Sequence, residues 1–217
     1  MSITQRVTVW LAWRVAPSAP LVATLSPDEH ARAHRYRDPA DADAFRWARG
    51  VQRVILGAHL GAAPEALRFV QQGDSKPALA GKGGGQCEYN ASHSGDLLAI
   101  AVSDKPVGVD IEQHRPMPAF AKVTRRVFAA EAAERILAEP DAHRAEAFFA
   151  EWTALEAHAK LHGHGVWRIL AERERHGAAE RVQTAPLATP AGYSGGVAVA
   201  GAEPAVSVRW WGSEILP

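Results

Sequence analysis

The chain has 217 residues, 47% of them hydrophobic, which suits one large domain or two small ones packed together and argues against a disordered or fibrous class. Lysine plus arginine equals aspartate plus glutamate at 24 each, so the formal net charge is zero and a general nucleic-acid binder with a broad basic face is not expected. The single cysteine, Cys87, excludes an internal disulfide and a cysteine-rich zinc site. The longest apolar stretch, Leu97 to Val102, is too short to span a bilayer, and Met1 to Trp13 has no signal-peptide layout. A soluble, cytoplasmic protein with no membrane partner is the expectation.

Val7, Val9, Leu11 and Trp13 alternate with other residues and predict a strand over Arg6 to Val15. Ser26-Pro27-Asp28-Glu29 is a helix start, with a serine cap, proline in the first turn and early acids. The helix it opens should run through Arg32, Arg35 and Arg37 to Asp38-Pro39. A longer helix follows from Ala40 to Leu60, with Gly61 as its stop. Gln71 to Gln86 is loop-rich. Leu97 to Ser103 and Val107 to Glu112 read as two strands joined by the turn Asp104-Lys105-Pro106. Helical patterns return at Ala130 to Ala138 and Arg144 to His162, and the tail alternates at Gly196 to Ala200 and Ala205 to Trp211. Strand–helix–helix–strand thus occurs about twice, predicting an α+β chain of two similar halves, 1–103 and 104–217.

Three stretches carry chemistry. In Val107-Gly108-Val109-Asp110-Ile111-Glu112, strand geometry puts the apolar residues on one face and Gly108, Asp110 and Glu112 on the other. Two carboxylates beside a glycine make a hard-oxygen site of the kind magnesium takes, or else an ordinary solvated acidic face. In Trp152 to Lys160, the residues Phe148, Trp152, Leu155 and Ala159 form a buried helical stripe. Glu156 and Lys160 are spaced to meet one turn apart, as a surface ion pair or as a metal ligand or base beside a phosphate-holding cation. Asn90-Ala91-Ser92-His93-Ser94, just before a strand, is either a phosphate-contacting element or a turn that satisfies its own backbone.

Asn-x-Ser-His-Ser, Gly-Val-Asp-x-Glu and Trp-x-x-x-Glu-Ala-x-x-Lys, in this order and preceded by Lys76-Pro77, resemble the signature of the surfactin-type 4′-phosphopantetheinyl transferases over about Ser26 to Val166. The resemblance implies a pseudo-twofold pair of α+β halves with the active site at their interface. It implies transfer of 4′-phosphopantetheine from coenzyme A to a serine of an acyl or peptidyl carrier protein, by a monomer that uses Mg2+. By motif position, Asp110, Glu112 and Glu156 would hold the metal, and Glu156, or Glu112 through a water, would take the serine proton. Lys160 would stabilise the departing phosphate, with Lys76, Ser92 and His93 gripping the coenzyme. Arg125 and Arg126, or the Arg32 to Arg37 cluster, would dock an acidic carrier.

Three positions that are basic in the family are Ala44, Leu155 and His164 here. Each lost cation weakens a direct phosphate contact by about 1.5–3 kcal/mol. A repurposed or inactive relative that binds coenzyme A or a carrier without transfer is therefore the alternative, and an unrelated magnesium-dependent phosphohydrolase a third reading. Gly192-Tyr193-Ser194-Gly195-Gly196 fits a hydrolase elbow, but strand-like sequence follows and no histidine or aspartate occurs after Ser194. The Gly81 to Gly85 run lacks a phosphate-loop ending, His158, His162 and His164 lack the zinc-protease glutamate, and Trp210 and Trp211 are expected to pack inside.

Overall fold

The computed structural model describes residues 4–70, 78–80, 87–176 and 182–212, with backbone only for 172–176. Lys76 and the Gly81 to Gly85 run lie outside the described residues. In chain order the elements are β1 (Thr4–Trp13), α1 (Ala19–Ala23), α2 (Pro27–Ala33), α3 (Pro39–Leu60), β2 (Phe69–Val70), β3 (Ala78–Leu79), β4 (Glu88–Ser94), β5 (Leu97–Ser103), β6 (Val107–Gln113), α4 (Phe120–Val127), α5 (Ala130–Ala138), α6 (Asp141–Leu161), α7 (Val166–His176), β7 (Val182–Pro186), β8 (Tyr193–Ala200) and β9 (Glu203–Trp210). The α+β class expected from the alternation of patterns is what forms.

Four strands make one sheet in the order β4-β5-β1-β9, in which β9 runs parallel to β1 and the other pairs are antiparallel. Three make a second antiparallel sheet, β6-β8-β7, and β2 pairs with β3 alone. The period-2 alternation explains how the sheets stack. Val7, Val9 and Leu11 of β1, with Leu97, Ala99 and Ala101 of β5, meet Val107, Val109 and Ile111 of β6 and Val197 and Val199 of β8 in one buried cluster. Leu98, Ile100 and Val102, on the opposite face of β5, pack on Trp47, Val51 and Ile55 of α3. Ala198 of β8 packs on Ala157 and Leu161 of α6. The layers therefore run α3, first sheet, second sheet, α6. All seven residues of β5 are buried because both its faces are covered, hence the unbroken apolar run.

Local chemistry sets the element ends. Ser26 and Glu29 form a reciprocal capping box at α2, at 3.3 and 2.8 Å. Glu29 also accepts from Arg53 at 2.7 Å, which ties α2 to α3. Asp38 caps α3, and Gly61 ends it in the left-handed conformation at φ 62°. The expected helix through Arg37 stops instead at Ala33, with His34 as its C-cap.

Two other differences matter for the site. The strands β5 and β6 are consecutive but not paired; residues 104–106 cross between the sheets, held by Gln5 Nε2 donating to the carbonyls of Lys105 at 3.2 Å and Pro106 at 3.1 Å. The segment Asn90 to Ser94, for which the sequence offers a phosphate-contacting element or a turn before a strand, is itself β4. Its small polar side chains fit a strand because they bond to the backbone of β6: Asn90 Oδ1 accepts from Val109 N–H at 3.0 Å, Ser92 Oγ from Ile111 N–H at 3.4 Å and Ser94 Oγ from Gln113 N–H at 3.0 Å. Trp210, expected inside, is 36% exposed and stacks on Trp13.

Two glycines let α6 lie on the second sheet. A Cβ on Gly108 would sit 1.9 Å from the Ala157 carbonyl oxygen, and one on Gly196 would sit 2.9 Å from that of Thr153. Gly108→Ala must lift α6 from β6, and urea denaturation should show a loss of about 3 kcal/mol or more. Gly165→Ala, where a Cβ meets nothing within 4 Å, should lose under about 1 kcal/mol.

Candidate active site

The expected face of β6 forms. Val107, Val109 and Ile111 are buried in the inter-sheet core, while Gly108, Asp110 and Glu112 take the face that meets α6. The same close approach that Gly108 permits sets the last turns of α6 over the carboxylates. Phe148, Leu155 and Ala159 are buried as the periodicity predicted, and Phe149, Thr153, Ala157 and Leu161 form a further buried set on the same helix. Helix α6 is thus covered on two sides, and Glu156 and Lys160 emerge at the boundary.

Lys160 does not pair with Glu156 as the spacing suggested. Its Nζ donates to Asp110 Oδ1 at 2.7 Å and to Ser92 Oγ at 2.8 Å. Ser92 Oγ in turn donates to Asp110 Oδ1 at 2.7 Å. Packing of α6 on the sheet turns the ammonium toward the buried acid, where an ion pair gains more than along an exposed helix face. Glu112 accepts from Ser94 Oγ at 2.7 Å and from Arg115 at 2.8 Å, both on Oε2. Of the residues expected to act together, β4, β6 and α6 bring together Ser92, Asp110, Glu112, Glu156 and Lys160.

Electrostatics bear on what this group can hold. Burial pushes the Asp110 carboxyl up, opposed by Lys160 and Ser92, with Glu112 adding to the rise. Burial pushes Glu156 up too; Asp110 adds to the rise, Lys160 opposes it and Glu112 adds again. Neighbouring carboxylates therefore add to the rise at both Asp110 and Glu156. Asp110 Oδ2 is buried and has no hydrogen-bond partner, the state of an oxygen that awaits a cation or a proton. Among the described residues no three His, Cys, Asp or Glu side chains stand ready to enclose a metal ion, for Lys160 sits on Asp110. The all-oxygen donor set and the orphaned Oδ2 nonetheless fit a hard divalent cation bound by few protein ligands.

His93 points the other way. It is exposed on the opposite face of β4 and lines a cleft of about 510 Å³ with Arg32, Ala44, Phe45, Arg49 and Gln52. Arg32 stands over the Phe45 ring at 5.1 Å, so this cation belongs to the cleft. Ala44 lines the same cleft, and Arg46 turns to Asp43 at 2.7 Å. Leu155 is 7% exposed in a core with Val127, Val166 and Ile169, and His164 lies against His162. Arg125 pairs with Glu134, and Arg126 covers the exposed Trp167. Ser194 sits buried inside β8 with its hydroxyl 2.8 Å from His114 Nε2, so no strand-to-helix elbow exists there. The sequence assigned no role to Arg49 or Arg115, and none to Ser94 beyond its place in the Asn90 to Ser94 motif; the period-2 polar spacing of Asn90, Ser92 and Ser94 was the available sign of a strand.

A profile of the "4'-phosphopantetheinyl transferase superfamily" matches residues 106–197, the span that holds β6, α6 and β8. The chain is 33% identical over 165 residues to the 4′-phosphopantetheinyl transferase HetI of Nostoc sp., covering 72% of this chain and 70% of that protein. It is 35% identical over 151 residues to AcpT of Escherichia coli, covering 69% and 73%. Identity to Sfp of Bacillus subtilis is 23% over 142 residues, covering 65% and 62%. No described helix is long and apolar enough to cross a membrane.

The raised carboxyls set a pH dependence. Folding that raises an acid's pKa stabilises below the unfolded value, about 4, and that contribution is lost as pH rises through the folded value. The metal-free chain should therefore lose stability as pH rises past about 4 toward neutrality relative to Glu156→Gln, and millimolar Mg2+ should narrow the gap. Parallel melting curves of the two proteins across that range, with and without Mg2+, check this.

Proposed function

Because the chain belongs to the 4′-phosphopantetheinyl transferase superfamily, we propose that it transfers 4′-phosphopantetheine from coenzyme A to a serine of an acyl or peptidyl carrier protein. The observation that carries the reading is the convergence of Asp110, Glu112, Glu156 and Lys160 from β6 and α6, around a buried oxygen with no partner. In this reading residues 1–103 and 104–217 are pseudo-twofold halves of a monomer, with the site between them.

The cleft of Arg32, Arg49 and His93 takes the adenosine phosphates of coenzyme A, while its pyrophosphate passes over the end of β4 to the carboxylates. Asp110, Glu112 and Glu156 would hold Mg2+, which supplies neutralisation of the charge gathering on the phosphates. Glu156 takes the proton from the serine hydroxyl. The serine oxygen then bonds to the phosphorus that carries pantetheine as the bond to the bridging oxygen breaks. The leaving group is 3′,5′-bisphosphoadenosine. Lys160, which donates to Asp110 at 2.7 Å in the free chain, stabilises the new charge on that oxygen. Glu112 offers a second route for the proton through a water.

A second reading is favoured by one observation: Ala44 lies in the cleft where a cation would meet phosphate. It makes the chain a coenzyme A binder without transfer. Incubation with coenzyme A, Mg2+ and a panel of apo carriers separates the two. The first reading expects a carrier to gain the mass of one phosphopantetheine, and Glu156→Gln to lower the rate at least about 100-fold. Binding by calorimetry with no adduct on any carrier supports the second. Phosphate release without a carrier would point to a phosphohydrolase. In either reading, Ala44→Arg should tighten coenzyme A roughly tenfold by calorimetry.

A further inference from the structure

The strand β4 repeats one contact at every second residue. Its side chains at 90, 92 and 94 each accept a backbone N–H of β6, as given above. At 92 and 94 the hydroxyl does more: Ser92 donates to Asp110 Oδ1 and Ser94 to Glu112 Oε2, both at 2.7 Å. The register advances by two residues on both strands, so the unit of accepted N–H plus donated O–H is the same at both serines. Asn90 makes only the first half. The residue before its partner Val109 is Gly108, which has no side chain to hold.

A serine hydroxyl has one proton to give. Here both protons are spent on carboxylates, which leaves none for a phosphate oxygen. Two carboxylates two residues apart on one strand face repel each other and would otherwise swing between staggered rotamers. A hydroxyl anchored to the backbone and bonded to one oxygen of each holds the pair in one arrangement. Asp110 Oδ2 is the oxygen so left over.

We infer that Ser92 and Ser94 are positioning residues: they fix the rotamers of Asp110 and Glu112 for a divalent cation, whereas Asn90 only stitches the two sheets. The inference rests on the cation reading above and goes beyond it, since it moves Ser92 from the coenzyme's phosphates to the carboxylates and adds Ser94. The hydroxyls act through the acids, as outer hydrogen-bond partners orient metal ligands generally.

The test is Mn2+ binding to the purified full chain, without coenzyme or carrier, read from the free-ion paramagnetic resonance signal and paired with thermal melting. Ser92→Ala and Ser94→Ala should each weaken Mn2+ roughly 10- to 100-fold, whereas Ser94→Thr, which keeps the hydroxyl, should stay within about threefold of the native chain. Asn90→Ala should lower Tm yet leave Mn2+ affinity within about threefold, a split that a merely structural role for the serines would not give. Ser92 is buried, so half-buried Ser94 carries the decision if Ser92→Ala loses its fold. Native affinity in a folded Ser94→Ala, or equal weakening by Asn90→Ala, overturns the inference while leaving the cation reading intact. A native chain that takes up no Mn2+ overturns the cation reading and this role with it.

Discussion

The contact on which this molecule depends is backbone against backbone, where α6 rests on β6 and β8. Helices usually stand off a sheet by the thickness of two side chains. Here Gly108 and Gly196 remove that layer on the strands, and Ala157 keeps it thin on the helix. The consequence is chemical as much as mechanical. Side chains at the end of the helix reach the strand's polar face directly, so Lys160 can bond Asp110, and Glu156 can feel both acids of β6. A methyl group at residue 108 would separate the two carriers of the site before any charged residue was touched.

A second constraint joins the two sheets. β6 lies at an edge of its sheet, and β4 at an edge of the other, and neither supplies the other with a regular ladder. Unpaired backbone donors buried at such a seam would cost about 1–3 kcal/mol each. The polar side chains of β4 satisfy them instead, taking the place of the missing strand. The seam is therefore polar, ordered and close to the carboxylates, whereas the layer between the sheets is built mainly of apolar side chains.

Burial and like charge then shape the site's ionisation. Asp110 and Glu156 are both held above the ordinary carboxylate range, mainly by burial, with the neighbouring acids adding to it. Lys160 offsets only part of this. A cluster of this kind links stability to pH in one place. The arginine cleft on the far face of β4 has no such tension, since Arg32 rests on Phe45 and Arg49 bonds Gln52 and Glu29.

Much was legible in the sequence because it rests on short-range rules. Period-2 alternation gave β1 and β6, an apolar run gave β5, the serine cap with proline in the first turn gave the start of α2, and Gly61 gave the end of α3. The face of β6 that carries Asp110 and Glu112 followed from alternation alone, and the motif order was enough to place the chain in its superfamily. Other features needed contacts between residues far apart in the chain. Asn90 to Ser94 left a turn open because Asn and Ser favour turns locally; its antiparallel ladder with β5 makes it a strand, and the N–H groups of β6, 19 residues away, engage its polar side chains. Lys160 was one helical turn from Glu156, yet its partner is Asp110, 50 residues distant, because packing rather than helical spacing decides which charge a half-buried ammonium meets. The sequence determined which groups this protein has and on which faces they lie; the tertiary structure decided which of them meet, since the close approach at Gly108 and the seam at β4 are properties of no single segment.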